Sequence, residues 1–233
     1  MSTTTEKSAF IRGCLASAPF LVIGGPFAVL FGLVAAEAGL SVFQTVSMSV
    51  VVIAGAAQFT AVQLMTEVAP VWAIVLTGLA VNLRMAMYSA SLQPHLGTAS
   101  FGQRLLIAYL NVDASYALGI IEYEKRPQMT VNEKTAYFFG TMVLLTPVWI
   151  AGSGVGALAG GMLPENLSID FAMPILFLAL VGTMVKTLAH LGAALTSVVA
   201  AMVLYELPFG MGLMIAGILA MIVGAEIERR RGR

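Results

Sequence analysis

Long apolar stretches follow one another along most of the chain, and each is about as long as a membrane span. A helix needs about 20 apolar residues, with a range of roughly 17–25, to cross the hydrocarbon core. The stretches do not alternate apolar and polar residues, so they predict helices rather than the strands of a barrel. The eight predicted spans are 16–36, 43–66, 69–90, 102–122, 135–160, 171–187, 190–206 and 208–226.

The sequence therefore predicts an all-α, polytopic bundle of about eight transmembrane helices. The last three stretches are short and closely joined, so seven spans is the alternative count. We expect one transmembrane domain over residues 1–233, with a polar N-terminal segment at 1–14 and a basic cytoplasmic tail at 227–233.

The positions of the basic residues orient the bundle. With eight spans and a cytoplasmic N-terminus, nearly every Lys and Arg falls on the cytoplasmic side, as the positive-inside rule requires. Arg104, at the edge of the fourth span, is the exception. Seven spans would export either the basic tail or the loop around Lys125, so we expect both termini to be cytoplasmic. The basic residues on that side are Lys7, Arg12, Lys125, Arg126, Lys134, Lys186, Arg229, Arg230, Arg231 and Arg233.

Composition narrows the class of function. The chain is 59% hydrophobic and 10% charged, against about 45–50% and about 25% in soluble proteins. Net charge is zero, and no basic face indicates nucleic-acid binding. Cys14 is the single cysteine, and His95 and His190 lie far apart in sequence. No Ser–His or His–Glu pattern indicates an enzyme, and we predict a transporter without a cofactor or metal.

Polar residues inside the spans are the best candidates for a site, because such residues are costly in lipid and usually face a cavity or the bundle interior. Arg84 and Tyr88 share one face of the third span, since they are four residues apart. At about 1.5 Å of rise per residue, Arg84 and Asp113 lie roughly 9 and 16 Å from the outer ends of their helices. A structural ion pair and a substrate-binding pair are both consistent with this spacing. The candidates in these spans are Gln58, Asn82, Arg84, Tyr88, Asp113 and Tyr116.

The first span contains the sequence Gly24-Gly25-Pro26 near its middle. Proline removes a backbone hydrogen bond and kinks a helix. A helix broken here would expose N–H groups that bind a carboxylate, which makes Gly25 and Pro26 candidate binding residues. A simple kink is the alternative. A shift of 128 residues also aligns 18–32 with 146–160, two stretches that run in the same direction in the eight-span arrangement. A parallel repeat and a chance similarity between two glycine-rich apolar stretches are the alternatives.

An ordered set of motifs resembles the AzlC family of branched-chain amino acid permeases. Together the motifs cover most of the chain in the order found in that family. They are Phe31-Gly32, AGAAQF at 54–59, N-x-R-x-x-x-Y-x-x-S-L at 82–92, D-x-x-Y-A at 113–117 and DFAMP at 170–174. Two positions depart from the family, which often has an acidic residue in place of Asn82 and an Asp-Glu pair where this chain has Asp113-Ala114.

The resemblance implies an inner-membrane exporter of hydrophobic amino acids such as valine, leucine, isoleucine or methionine. It also implies a small AzlD-like membrane subunit as partner and leaves the oligomeric state open. We expect alternating access around a site at mid-membrane, where Arg84 or the first helix meets the substrate carboxylate and Asp113 meets the ammonium. The alternatives are a non-transporting membrane scaffold and an exporter of a different small molecule.

Overall fold

The computed structural model describes residues 5–162, 185, 187–207 and 211–231, and every regular element in these ranges is an α-helix. This confirms the predicted all-α class. The chain divides into two compact units, one formed by residues 1–63 and 78–162 and the other by 64–77 and 163–233. The helices are α1 (Glu6–Glu37), α2 (Val42–Val51), α3 (Gly55–Thr66), α4 (Val71–Leu96), α5 (Phe101–Leu110), α6 (Asp113–Lys125), α7 (Val131–Gly160), α8 (Leu188–Val203) and α9 (Met211–Arg231).

Three of the described helices, α1, α4 and α7, are long and apolar enough to cross a membrane. They contain 32, 26 and 30 residues, and at about 1.5 Å per residue even the shortest exceeds the roughly 30 Å hydrocarbon core. Polytopic membrane insertion is therefore consistent with the helix lengths.

Helices α1 and α7 pack side by side along much of their length, with glycines at the contact. A Cβ atom on Gly13 would lie 2.2 Å from the Tyr137 carbonyl oxygen, and one on Gly32 would lie 2.1 Å from that of Ser153. Only hydrogen fits at such positions, which lets the two backbones approach closely. The contacts advance together along both helices, so α1 and α7 are parallel.

Helix α1 runs without interruption through Gly24, Gly25 and Pro26. The expectation of a broken first helix is therefore wrong. Pro26 cannot donate to the carbonyl oxygen of Val22, but the packing against α7 on both sides of this point holds the helix together. Gly152 of α7, for example, lies directly against Ala28.

The predicted span 43–66 is also wrong, because it consists of α2 and α3 folded into a hairpin. The two helices, of 10 and 12 residues, reach only about 15 and 18 Å. Gln58 donates a hydrogen bond of 3.1 Å to Ser49 across the intervening residues 52–54, which two helices in line could not do. We call α2, residues 52–54 and α3 the first hairpin.

Contacts with the long helices give the direction of the first hairpin. Along α2, Val46 lies beside Gly154 and Ser49 bonds to Ser153, so α2 runs against α7. Along α3, Gly55 meets Phe27, and Phe59 then packs against both Phe27 and Phe31. Helix α3 therefore runs back in the direction of α1. The hairpin enters from the C-terminal ends of α1 and α7 and turns about halfway across.

The predicted span 102–122 is wrong for the same reason. Asn111 bonds to Ser89 near the middle of α4, and Tyr123 packs against His95 at the end of α4. Helix α6 therefore descends along α4. Helix α5 begins five residues after α4 ends and must rise to reach Asn111. We call α5, residues 111–112 and α6 the second hairpin; it enters from the side opposite to the first.

The second hairpin explains the one exception to the positive-inside rule. Its base lies beside the first turn of α7, since His95 is 3.4 Å from Lys134. Arg104, in the first turn of α5, is therefore on the side that carries Arg12 and Lys134, and not on the opposite side.

The helix boundaries repeat with a shift of 59 residues. Helices α1 and α4 end at Glu37 and Leu96, α2 and α5 begin at Val42 and Phe101, and both hairpins open with a capping box. The two boxes are Ser41 with Gln44 and Ser100 with Gln103. Because α1 and α4 run in opposite directions and the hairpins enter from opposite sides, this is an inverted repeat of the kind found in many transporters.

A hydrophobic core lies where α1, α4 and α7 meet the base of the second hairpin. Its members are buried apolar side chains from all of these elements: Ala9, Leu92, Leu96, Ile107, Tyr123, Met129, Tyr137, Phe138 and Met142.

In the second unit, α8 and α9 pack antiparallel, with Gly192 against Ile227 and Gly224 against Ala193. They correspond to the predicted spans 190–206 and 208–226, whereas the predicted span 171–187 lies almost wholly outside the described residues.

The glycine contact between α1 and α7 gives a matched pair of variants. Gly32→Ala places a methyl group against backbone at 2.1 Å, and overpacking of this kind costs about 1–3 kcal/mol. Gly24→Ala on the same helix meets nothing within 4 Å. We expect Gly32→Ala to lower the melting temperature of the detergent-solubilised protein and Gly24→Ala to leave it unchanged or raise it. Equal melting temperatures would contradict the close packing.

Candidate functional site

Four of the predicted site residues come together between α4 and the tip of the second hairpin. Arg84 and Asp113 form an ion pair, with Nη2 and Oδ2 3.1 Å apart. The Tyr88 hydroxyl donates a 2.8 Å hydrogen bond to the other carboxylate oxygen of Asp113. Asp113 is the first residue of α6, so this pair holds the tip of the hairpin against α4. We call Arg84, Tyr88, Asp113 and Tyr116 the charged cluster.

Two tyrosine rings form one wall of the charged cluster. Tyr88 of α4 and Tyr116 of α6 stack with their centroids 4.2 Å apart and their planes at 8°. The Tyr116 hydroxyl donates to Ser91 Oγ at 3.2 Å, one turn further along α4. The rings present an apolar surface immediately beside two opposite charges.

The charged cluster lies at mid-membrane depth and is open on one side. Arg84 is about 20 Å from the start of α4 and about 18 Å from its end. The Asp113 side chain is 53% exposed and that of Arg84 is 29% exposed. Charged side chains at this depth are too costly to face lipid, so the open side of the pair faces a polar cavity or another molecule.

Asn111 extends the polar surroundings of the charged cluster, whereas Asn82, two residues before Arg84 on α4, lies on another face of that helix. Asn82 is partly buried, and its Oδ1 is buried without a hydrogen-bond partner. Asn111 is buried and fastens the hairpin tip to α4 through Nδ2, which donates to Ser89 Oγ at 3.3 Å. Sequence reasoning omitted Asn111 from the site. The available signal was an asparagine, a residue disfavoured within helices, in the middle of an apolar stretch.

Gln58 belongs to a separate network that fastens the first hairpin to α7. The Trp149 indole donates to Gln58 Oε1 at 3.1 Å, and Gln58 Nε2 donates to Ser49 at 3.1 Å. Ser49 donates to Ser153 at 2.9 Å, and Ser153 donates to the Trp149 carbonyl oxygen at 2.8 Å. The ring of bonds closes on Trp149, and both functional groups of the fully buried Gln58 amide are used. We call these four residues the amide ring.

Gly25 and Pro26 lie on the continuous helix α1. A Cβ atom on Gly25 would contact the side chain of Val148 in α7 at 3.8 Å. In the part of the chain that the structure describes, no contact joins these two residues to Arg84 or Asp113. The structure therefore brings together Arg84, Tyr88, Asp113 and Tyr116, but it does not bring Gly25, Pro26 or Gln58 to them.

The described residues contain no group of three or more His, Cys, Asp or Glu side chains that could hold a metal ion. The charged cluster offers two opposite charges beside two aromatic rings, and these groups suit the recognition of a small molecule. A guanidinium can bind a carboxylate, a carboxylate can bind an ammonium group, and the tyrosine rings can contact an apolar side chain.

Comparison with known proteins connects this arrangement to a protein family. The model of the AzlC protein family matches residues 19–163. The inner membrane protein YgaZ of Escherichia coli is 24% identical over 95% of this chain and 91% of its own length. The branched-chain amino acid transport protein AzlC of Bacillus subtilis is 29% identical over 75% of this chain and 65% of its own length. No solved structure matches.

The amide ring yields a prediction about stability. Gln58→Ala leaves the Trp149 indole N–H without its buried acceptor and removes one of the two side-chain bonds of Ser49. An unsatisfied buried group costs about 1–3 kcal/mol. We expect a lower melting temperature in detergent than that of Gln93→Ala, which truncates an exposed glutamine of α4. A Gln58→Ala protein as stable as the Gln93→Ala control would show that the ring does not stabilise the hairpin.

Proposed function

Because this chain belongs to the AzlC family, and is therefore a membrane transporter, we propose that it exports branched-chain or other hydrophobic amino acids by alternating access. We further propose that it is a multi-pass protein of the inner (plasma) membrane that works with a small AzlD-like membrane subunit. The Bacillus subtilis relative is named as a branched-chain amino acid transport protein, which supports the substrate class. The family resemblance supports the partner.

The open Arg84–Asp113 pair is the observation that carries the proposal. An amino acid is a zwitterion, so it can take both partners at once. Its carboxylate binds Arg84, whose planar guanidinium suits bidentate contact, and its ammonium group binds Asp113. The exchange leaves neither protein charge unpaired, which matters because an unpaired charge at low dielectric is strongly destabilising.

Further side chains of the site fit the remaining parts of such a substrate. The stacked rings of Tyr88 and Tyr116 provide an apolar surface for a branched aliphatic side chain. We leave Asn82 out of the site, because it lies two residues from Arg84 on α4 and therefore on another face of the helix. We leave Gln58, Gly25 and Pro26 out of the site, since both functional groups of the Gln58 amide are used in the amide ring and the other two residues lie on the continuous helix α1.

The inverted repeat supports alternating access. Transporters with such repeats place the substrate site near mid-membrane, at discontinuous helices. Here the charged cluster adjoins the interruption at residues 111–112. The two hairpins enter from opposite sides and meet beside the site, so a movement of one against the other can change the side to which the site is open.

The proposal is tested by efflux of labelled leucine, valine and methionine from cells that express this chain with a small AzlD-like membrane subunit. We expect Arg84→Ala and Asp113→Asn each to abolish efflux at normal protein levels, because each removes one of the two charges that the zwitterion needs. Arg104→Ala, which removes an exposed arginine in the first turn of α5, is the matched control and should retain efflux.

Other outcomes have distinct meanings. Full efflux by Arg84→Ala or Asp113→Asn would remove the charged cluster from the transport mechanism. Unchanged retention of all three amino acids by the unmodified protein would exclude this substrate class. Efflux that persists when the small subunit is omitted would contradict the proposed partner.

The two tyrosines should differ in their effect on affinity. Tyr88→Phe removes a hydrogen bond to a charged group, a class worth about 1.5–3 kcal/mol, whereas Tyr116→Phe removes a neutral bond worth about 0.5–1.5 kcal/mol. Both variants keep the stacked rings. We therefore expect Tyr88→Phe to raise the apparent KM for leucine efflux more than Tyr116→Phe does, measured in membrane vesicles. The reverse order would contradict the role of Tyr88 in orienting Asp113.

A further inference from the structure

The tips of the two hairpins touch at mid-membrane, where the Tyr109 hydroxyl of α5 donates a hydrogen bond to the Val50 carbonyl oxygen of α2. We propose that this contact is a gate, closed in this structure, which opens when a substrate takes Arg84 away from Asp113. The inference rests on the proposed function for the identity of the substrate, but the gate and its link to the ion pair stand on the contacts alone.

The contact joins equivalent positions of the inverted repeat. Tyr109 and Val50 are 59 residues apart, which is the shift that relates the two hairpins. They are therefore equivalent positions, the second-last residues of α5 and α2. Equivalent residues of a two-fold repeat can touch only near the axis that relates the halves. The contact thus lies where a substrate route from one side of the membrane would meet a route from the other side.

The contact pairs a tyrosine hydroxyl with a backbone carbonyl group at a helix end. Val50 lies in the last turn of α2, where helix carbonyl groups have no partner within the helix. The Tyr109 hydroxyl satisfies such a group at a depth where backbone must be buried in protein or line a water-filled cavity. The surrounding tip is nevertheless open, since Val50 and Tyr109 are each 43% exposed and Val51 is 71% exposed. Because these side chains are not tightly packed, the two tips can separate without disrupting a buried core.

The two hairpins are held in different ways, which identifies the moving one. The first is anchored by the amide ring and by the buried side chains of Phe59 and Val62. On the second, α5 exposes the large side chains of Phe101, Leu105 and Leu106 and buries only Ile107. The tip of the second hairpin is held to α4 mainly by polar contacts, and these can be exchanged for contacts with a ligand or water.

The ion pair and the gate lie on the same short segment. Asp113 follows Tyr109 by four residues, across the turn at 111–112. A substrate that inserts between Arg84 and Asp113 breaks their direct bond, which is one of the bonds that hold the hairpin tip against α4. The tip can then withdraw Tyr109 from Val50. Binding at the charged cluster thus shifts the equilibrium of the hairpin, as any ligand that favours one state must.

The test is cross-linking of the two tips in native membranes that also contain the small subunit. Cys14→Ser first removes the native thiol, and Val50→Cys with Tyr109→Cys then provides one thiol on each tip. A tyrosine side chain separates the two backbones, so a short bifunctional thiosulfonate replaces direct disulfide formation, which needs Cα atoms within about 7 Å. Val46→Cys with Gly154→Cys is the control pair, because it joins the anchored first hairpin to α7.

We expect both pairs to cross-link without substrate. Adding Asp113→Asn should slow cross-linking of the tip pair by about fivefold, the effect on an equilibrium of losing one ion pair that is open to water, and leave the control pair unchanged. Two results would overturn the gate. One is that the tip pair does not cross-link although the control pair does. The other is that the tip pair cross-links at the same rate with and without Asp113→Asn. If the variant with the two tip cysteines does not fold, we measure instead the rate at which an impermeant maleimide labels Val51→Cys. A labelling rate that Asp113→Asn changes supports the gate, and an unchanged labelling rate overturns the gate.

A separate arm distinguishes this inference from the proposed substrate. Leucine at saturating concentration should slow tip cross-linking in the Asp113 protein, whereas mannitol should not. Protection by neither solute, together with a clear effect of Asp113→Asn, would refute the substrate class and support the gate. Protection by leucine with no effect of Asp113→Asn would support the substrate class and refute the link between ion pair and gate.

Discussion

Non-helical backbone at mid-membrane depth must be covered by protein or line a water-filled cavity, and the first unit is built around this constraint. Two interruptions, at residues 52–54 and 111–112, place unpaired backbone groups in the middle of the bundle. Each is stabilised by contacts with residues far away in sequence. The first hairpin is fastened to α7 by the amide ring. The second is fastened to α4 by Asn111 and Asp113, and Tyr109 joins the two tips.

The close packing of α1 against α7 makes this arrangement possible. Glycines at the contact bring the two backbones together, so the helices form one continuous surface on which the first hairpin lies. The same packing keeps α1 helical through Pro26, where sequence reasoning expected a break. Function then depends on the contrast between the two hairpins. A rigid first hairpin and a second hairpin held by exchangeable polar bonds give the molecule one fixed and one movable element beside the charged cluster.

The sequence correctly predicted that the elements are helices. It wrongly predicted that the stretches 43–66 and 102–122 each cross the membrane as a single helix. Hydropathy counts apolar residues, and a hairpin of two short helices contains as many of them as a single span. The stretches 43–66 and 102–122 were therefore indistinguishable from true crossings. The breaks leave only weak local signals, such as Asn111 and the two Ser–Gln capping boxes. The inverted repeat was not detected in the sequence for a related reason. Lipid-exposed and buried apolar positions tolerate almost any aliphatic residue, so few identical residues remain between the two halves of the repeat.

The sequence by itself determined the helical membrane class, the resemblance to the AzlC family and the candidate pair of Arg84 and Asp113, because these depend on composition, ordered motifs and the cost of charge in lipid. Only the tertiary structure decided that the chain turns back at residues 52–54 and 111–112. It also decided that Gln58 and Asp113 belong to different clusters. The physical reason is that a reversal of the chain is fixed by contacts such as Ser49 with Ser153, which join residues about a hundred positions apart and leave no local pattern in the sequence.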